Sequence, residues 1–399
     1  MEIKTLMQVD APIDALDMLG NEMHGFTPFS LRGPNVVQLN DGTLVFLFEM
    51  KIGSQLDEAE GVKAVMRSHD DGKTWGDLRL LTYPGCPIDV PCGAMLYDAL
   101  QDSLLVFSRL RHWKEGHEQA RPMTEEDQIN GHSFETFYIT KSRDGGLSWS
   151  RFEEVPVTGI PSDWTVQSCP TVGVGIQLRR QSDPAHNGRL LLPANHASMN
   201  NGQNEFRAHI LLSDDFGKSW RMGAIEQYLG SSESMAVELL DGTIVYNSRN
   251  QGGQPEHQRI QSYSYDGGET LQNAATVPTL YDPLCHAGFA TLCIAGREYI
   301  FASAPTGAPG NPSFFMGHTI RWGVREALTL YASANGGKTY RAIKQLSPHG
   351  EFAAYSALCA TRDGGLICAW ESGPQIGCYR SIKYVVLTSN ELAEMCEAL

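Results

Sequence analysis

The chain has 399 residues, 42% hydrophobic and 19% charged, the composition of a soluble globular protein with ample core. Its formal net charge of −15 argues against a broad nucleic-acid or anionic-membrane surface, so an anionic small ligand needs a local basic pocket. No stretch approaches the roughly 18 apolar residues of a membrane span.

Along the chain, the opening "MEIKTLMQVDAPIDALDML" lacks a basic segment followed by a continuous apolar run, so no secretory signal is read there. Nine cysteines, among them Cys86 and Cys92, are scattered without CxxC pairs, as in a reducing compartment. A cytoplasmic protein is expected, with secretion open if a leader was removed. Short β-type runs then follow: Gly42 to Met50, Asp102 to Leu110, Gly188 to Ala197, Gly242 to Arg249, Ala327 to Ala334 and Ile382 to Ser389. Asp41-Gly42, Asp241-Gly242 and Asp363-Gly364 each stand just before such a run, as hairpin turns do. Helical periodicity is confined to Pro122 to Gln128, in a charged insert at about 111–132, and to the last ten residues.

One phrase recurs. "SHDDGKTW" (from Ser68), "SRDGGLSW" (from Ser142) and "SDDFGKSW" (from Ser213) are close copies, and "SYDGGETL" (from Ser264) and "SANGGKTY" (from Ser333) are degenerate ones. Asp and Gly favour a tight turn in which the carboxylate accepts backbone N–H groups, and the terminal aromatic can pack under the sheet. A motif written five times reports scaffold rather than one active site. Regular β units of this kind predict an all-β fold, a six-bladed β-propeller of four-stranded antiparallel sheets, with residues 1–399 as a single domain.

A propeller puts its site at one end of the central channel, so unrepeated polar residues beside strands are the informative ones. Arg32 in "FSLRGPNVV", Arg249 in "VYNSRNQGG" and Arg325 in "WGVREALTLY" border strand-like segments. A guanidinium fork is the natural partner of a carboxylate. Glu233 precedes Arg249 by one hairpin, while Tyr355 in "AYSAL" stands before a strand pair and Glu371 in "AWESG" follows it. His112, His117 and His132 in the insert are too irregularly spaced for a metal site, and no cofactor is expected; the insert reads as a rim over the pocket.

This set on these repeats, the Asp-box or BNR motif, resembles the exo-sialidases (neuraminidases) of the bacterial and animal type over nearly the whole chain. "VGVGIQL…GRLLLPA", Val172 to Ala194, also resembles that family's third blade. The resemblance implies that Arg32, Arg249 and Arg325 hold a sialic acid carboxylate. It assigns Tyr355 as nucleophile, Glu233 as the carboxylate that takes its proton, and Asp57 as general acid/base, with Glu58 and Glu60 on the loop from Lys51 to Glu60 as alternatives for that role. Glu371 would steady Arg32. The chemistry is coherent: a neutral phenol approaches an anomeric carbon bearing a carboxylate without like-charge repulsion, the tyrosine exception among glycosidases. Two positions depart from the family: Gly33 replaces an apolar residue in Arg-Ile-Pro, which should loosen local packing, and Lys51 replaces an arginine. The expectation is therefore a retaining exo-sialidase acting on sialosides. A Kdn- or Kdo-like sugar, transglycosylation, release of an anhydro sugar, or a silent glycan-binding propeller are the alternatives; a pure binder has no reason to keep Tyr355 and Glu233 together.

Overall fold

Each of the six β-type runs forms a strand: Leu44–Lys51, Ser103–Trp113, Leu190–Asn200, Ile244–Asn250, Leu328–Ser333 and Ser381–Leu387. The computed structural model describes the chain apart from residues 19, 57–58, 84–93, 121–122, 124–126, 128–129, 163, 167–171, 201–202, 253–254, 308–312, 316–317, 321–323, 375–377 and 398. Asp57, Glu58, Cys86 and Cys92 lie outside the described residues, as does most of the helix expected over Pro122 to Gln128. The expected terminal helix forms over Ser389–Cys396 and opens with a capping box, Thr388 with Glu391.

The strands make six antiparallel blades. Their first strands are Ser30–Gln38, Met95–Asp98, Ile176–Gln177, Ser231–Glu238, Gly288–Ile294 and Phe352–Ala360. Each touches the first strand of both neighbouring blades, so they close a ring around the axis. Six apolar clusters fill the six gaps between adjacent blades. Between the first and sixth blades, for example, Phe46 and Phe48 meet Ile367 and Tyr384. Burial on both faces explains why many strands read as unbroken apolar runs rather than alternating ones.

Two blades exceed four strands. Ile13–Asp17 runs parallel to the outer strand Gly76–Leu80 and pairs with Glu22–Phe26, extending the first blade. Val157–Thr158 and Trp164–Val166 extend the third. In the second blade the expected insert begins inside a hairpin, with Arg111 opposite Glu135 and Trp113 opposite Ser133.

All five copies of the repeated phrase form one turn. In the first, Gly72 N–H donates to Ser68 Oγ at 2.9 Å and Thr74 N–H to Asp70 Oδ1 at 2.9 Å. The degenerate fifth copy keeps both bonds, from Gly337 to Ser333 at 2.9 Å and from Thr339 to Asn335 at 3.1 Å. An amide oxygen therefore replaces the carboxylate without loss of the turn. The last residue of each phrase enters the cluster shared with the preceding blade: Trp75, Trp149, Trp220, Leu271 and Tyr340. Trp220, for instance, meets Phe107 edge-on at 5.0 Å. The sixth blade has no such turn because its fourth strand, Ile3–Gln8, comes from the other end of the chain and pairs with Ser381–Leu387. Replacing Asp215, which accepts from Ser213 Oγ, Ser219 N–H and Ser219 Oγ at 2.7–2.9 Å, tests the scaffold role. Asp215→Ala is expected to cost about 1–2 kcal/mol in urea unfolding with the channel residues undisturbed.

Candidate active site

Antiparallel topology separates the turns from the channel mouth. Every first strand starts at one mouth, and after three strands the chain stands at the other end, where the repeated turns lie. Residues at the start of first strands and the end of second strands therefore share the first mouth. Arg32, Glu233 and Tyr355 lie near the start of first strands, and Arg249 and Glu371 near the end of second strands. Arg325 enters from the segment before Leu328–Ser333.

Tyr355 lies within a strand rather than before one, as its sequence context implied. Ala354 pairs with Glu371 and Ser356 with Trp370, so Tyr355 is bulged out of register, with φ at +40°. This left-handed backbone is rare for a bulky residue and recurs where structure holds a functional group in place. Its N–H, lost to the ladder, donates to Cys285 Sγ at 3.0 Å. Its phenol donates to Glu233 Oε1 at 2.8 Å and accepts from Arg249 Nη1 at 2.9 Å. The same Arg249 nitrogen donates to Glu233 Oε2 at 3.0 Å.

The other two arginines flank this pair, each 5.5 Å from the Tyr355 ring centre. Arg32 Nε donates to Glu371 Oε1 at 3.1 Å, and its plane stacks on Tyr379 at 4.1 Å. Arg325 donates to Tyr379 Oη at 3.3 Å and to the Leu284 carbonyl. Gly33 has φ of +55°, a backbone that favours glycine, and its N–H donates to Glu371 Oε1 at 2.7 Å. Glycine after Arg32 thus fastens the first arginine's partner. Lys51 is buried and donates to the Ala59 carbonyl at 2.9 Å. Arg32 Nη1 reaches Gln55 O, two residues before Asp57, at 3.4 Å.

Charge is tuned by depth. Burial, with the neighbouring Glu233, pushes the Tyr355 phenol well above its ordinary value, against Arg249 and Arg325. Burial alone would raise the Glu233 carboxyl, but Arg249 leads the contacts that hold it below the usual carboxylate range. Burial lifts Glu371 to about 7 despite Arg32 and the Gly33 N–H. A neutral phenol thus faces an ionised carboxylate inside a ring of guanidinium groups, poised for proton transfer from oxygen to Glu233.

Six of the seven singled-out residues come together here; Asp57 falls outside the described residues. Sequence reasoning missed the floor of the site. The linker Asp282 to Ala287, between the fourth and fifth blades, supplies the Leu284 carbonyl and Cys285 Sγ. Asp282 accepts from Asn250 N–H at 2.7 Å and pairs at 3.5 Å with Arg259, which is wholly buried on the strand next to that of Arg249. In the insert, His112 bonds Thr136 Oγ1 at 2.8 Å and stacks on Phe134, and His117 stacks on His132.

Residues 92–368 match the family model of the BNR repeat-like domain. The sialidase of Micromonospora viridifaciens is 27% identical over 369 residues, 90% of this chain and 52% of that protein. The sialidase of Clostridium perfringens is 28% identical over 268 residues, 63% of this chain and 61% of its own. The chain thus spans about half to three-fifths the length of these relatives. Among solved structures, Trypanosoma rangeli sialidase in complex with sialic acid superposes with a TM-score of 0.73 at 18% identity, over 99% of this chain and 60% of that one. The intramolecular trans-sialidase from Ruminococcus gnavus gives 0.66 at 17%, over 91% and 95%. At such identities the shared property is the fold.

Proposed function

Because this chain belongs to the BNR repeat-like domain family and its curated relatives are sialidases, we propose that it is a retaining exo-sialidase, a glycoside hydrolase that releases terminal α-linked sialic acid. The observation that carries this reading is Tyr355 hydrogen-bonded to Glu233 at 2.8 Å between three convergent arginines.

In this reaction Arg32, Arg249 and Arg325 bind the sugar carboxylate and fix the anomeric carbon over Tyr355. As the phenol oxygen attacks, its proton passes to Glu233, and the bond to the aglycone oxygen breaks. Asp57 gives that oxygen a proton. The covalent glycosyl-tyrosine is then hydrolysed by water that Asp57 deprotonates, while Glu233 returns its proton to the leaving phenol. Two successive displacements at the anomeric carbon, from opposite faces and each inverting it, give net retention. Arg249, already donating to the phenol oxygen, stabilises phenolate character in both steps. Support for Asp57 is that the described residues on either side of it are tied to this mouth, Gln55 to Arg32 and Ala59 to Lys51.

The test is fluorophore release from an umbelliferyl sialoside beside the matching Kdn glycoside. Sialoside turnover with retained anomeric configuration is the expected result. Turnover of the Kdn glycoside alone would move the substrate and keep the mechanism; turnover of neither would leave a glycan-binding propeller.

A further inference from the structure

The linker at the floor of the site carries one group to which this reaction gives no role. His286 is 2% exposed, and its ring lies 6.3 Å from that of Tyr355, 27° from parallel. Its Nδ1 is buried with no hydrogen-bond partner among the described residues. The ring packs against Gly173, where an added Cβ would stand 3.3 Å from His286 Cε1, 2.8 Å from the Ser234 carbonyl oxygen and 2.6 Å from Met235 Sδ. Ser234 and Met235 directly follow Glu233, so His286 packs beside the same short segment that presents the carboxylate. A buried polar atom left unmatched costs stability, and such groups persist where function retains them.

We propose that His286 is a positioning residue for the Tyr355–Glu233 pair, backing the phenol ring while neutral and weakening Glu233 as a base once protonated. The inference rests on the roles given above to Tyr355 and Glu233. The charged and titratable groups around His286 are Glu233, Arg249 and Arg259 from three strands of the fourth blade and Tyr355 from the sixth, with Asp282 and Cys285 on its own linker. Burial brings the imidazole down to about 4; Glu233 pulls it up, while Arg259 and Arg249 push it down. At neutral pH the ring is therefore uncharged. In acid, an imidazolium beside Glu233 stabilises the ionised carboxylate and lowers its appetite for the phenol proton. The Glu233 carboxyl is itself held below its usual range, with His286 among the causes, so the two groups titrate as a coupled pair.

The experiment is the pH profile of kcat/KM for an umbelliferyl sialoside, with circular dichroism confirming the fold at each pH. In the wild type the acidic limb should be broader than a single-proton titration, because the two groups oppose each other's protonation. His286→Gln should reduce it to a one-proton limb and lower kcat at neutral pH by about three- to tenfold, through a less well-held phenol, with KM little moved. His286→Phe, which restores a ring but cannot be protonated, should recover part of kcat and keep the one-proton limb. Limbs superimposable on wild type in both variants would overturn the proposal, as would a parallel fall of kcat, 1/KM and melting temperature that marks a merely structural ring. A second arm needs no turnover: in protein carrying 13C-labelled histidine, the His286 signal should titrate at lower pH in Glu233→Gln than in wild type. An unmoved titration would refute the coupling whatever sugar is the substrate, whereas absent sialoside turnover with a moved titration would count against the proposed function alone.

Discussion

Tyr355→Phe is expected to lower kcat for sialosides by at least about 10³-fold while a stable sialic acid analogue binds within a few-fold of wild type. The variant removes one oxygen atom. The ring beside Arg32 and Arg325 stays, as does the Arg249–Glu233 pair at 3.0 Å, so the carboxylate-binding arginines keep their supports. What disappears is the atom proposed to form the glycosidic bond to the protein. Single-turnover kinetics and calorimetry separate the two effects, and wild-type turnover in the variant would mean that another group is the nucleophile. Glu233→Gln should reproduce much of the loss, because burial keeps the Tyr355 phenol neutral and only a carboxylate in reach can take its proton.

Arg325→Ala is expected to act on binding instead. Removing one partner of a desolvated, hydrogen-bonded charge pair costs on the order of 2–5 kcal/mol, about 30- to several-thousand-fold in Kd for the free acid. The side chain is 5% exposed, so water replaces it poorly. Arg325→Lys keeps the charge but loses the planar fork, and should recover only part of the affinity. A sialoside whose carboxylate is esterified is the control: it should bind wild type and Arg325→Ala almost alike. If the ester suffers as much as the acid, Arg325 shapes the pocket rather than reading charge.

How far these features could be read from the amino acids depends on whether they repeat. The blades were legible because their turns recur, Ser–Asp–Gly–aromatic, and because Asp-Gly turns flag the hairpins. Five turns in six blades became intelligible only with the strand Ile3–Gln8 in place, since a blade closed by a distant segment needs no such turn. Arg32, Arg249, Arg325, Glu233, Tyr355 and Glu371 stood out as unrepeated polar residues within or beside strands. The floor of the site did not. Leu284 contributes a carbonyl, Cys285 a sulfur and His286 a ring face, none of which leaves a periodic trace. Nor could composition reveal that Tyr355 is bulged at positive φ, a conformation imposed by tertiary contacts against local preference. Gly33 looked like a loss of packing and is instead a backbone requirement.

The meeting of the first and last blades has a temporal consequence. Arg32 and Glu371 are 339 residues apart and face each other across the seam where the ring closes, and Tyr355 is 122 residues from Glu233. A chain emerging from the ribosome builds hairpins, turns and inter-blade cores one after another, yet owns no reaction centre until its sixth blade arrives and captures the N-terminal strand. Contacts of such range form late and slowly. On the proposed mechanism, turnover is a property of the finished circle: an incomplete chain, however well folded in its parts, is expected to be inert, and the appearance of activity during synthesis would time the closing of the ring.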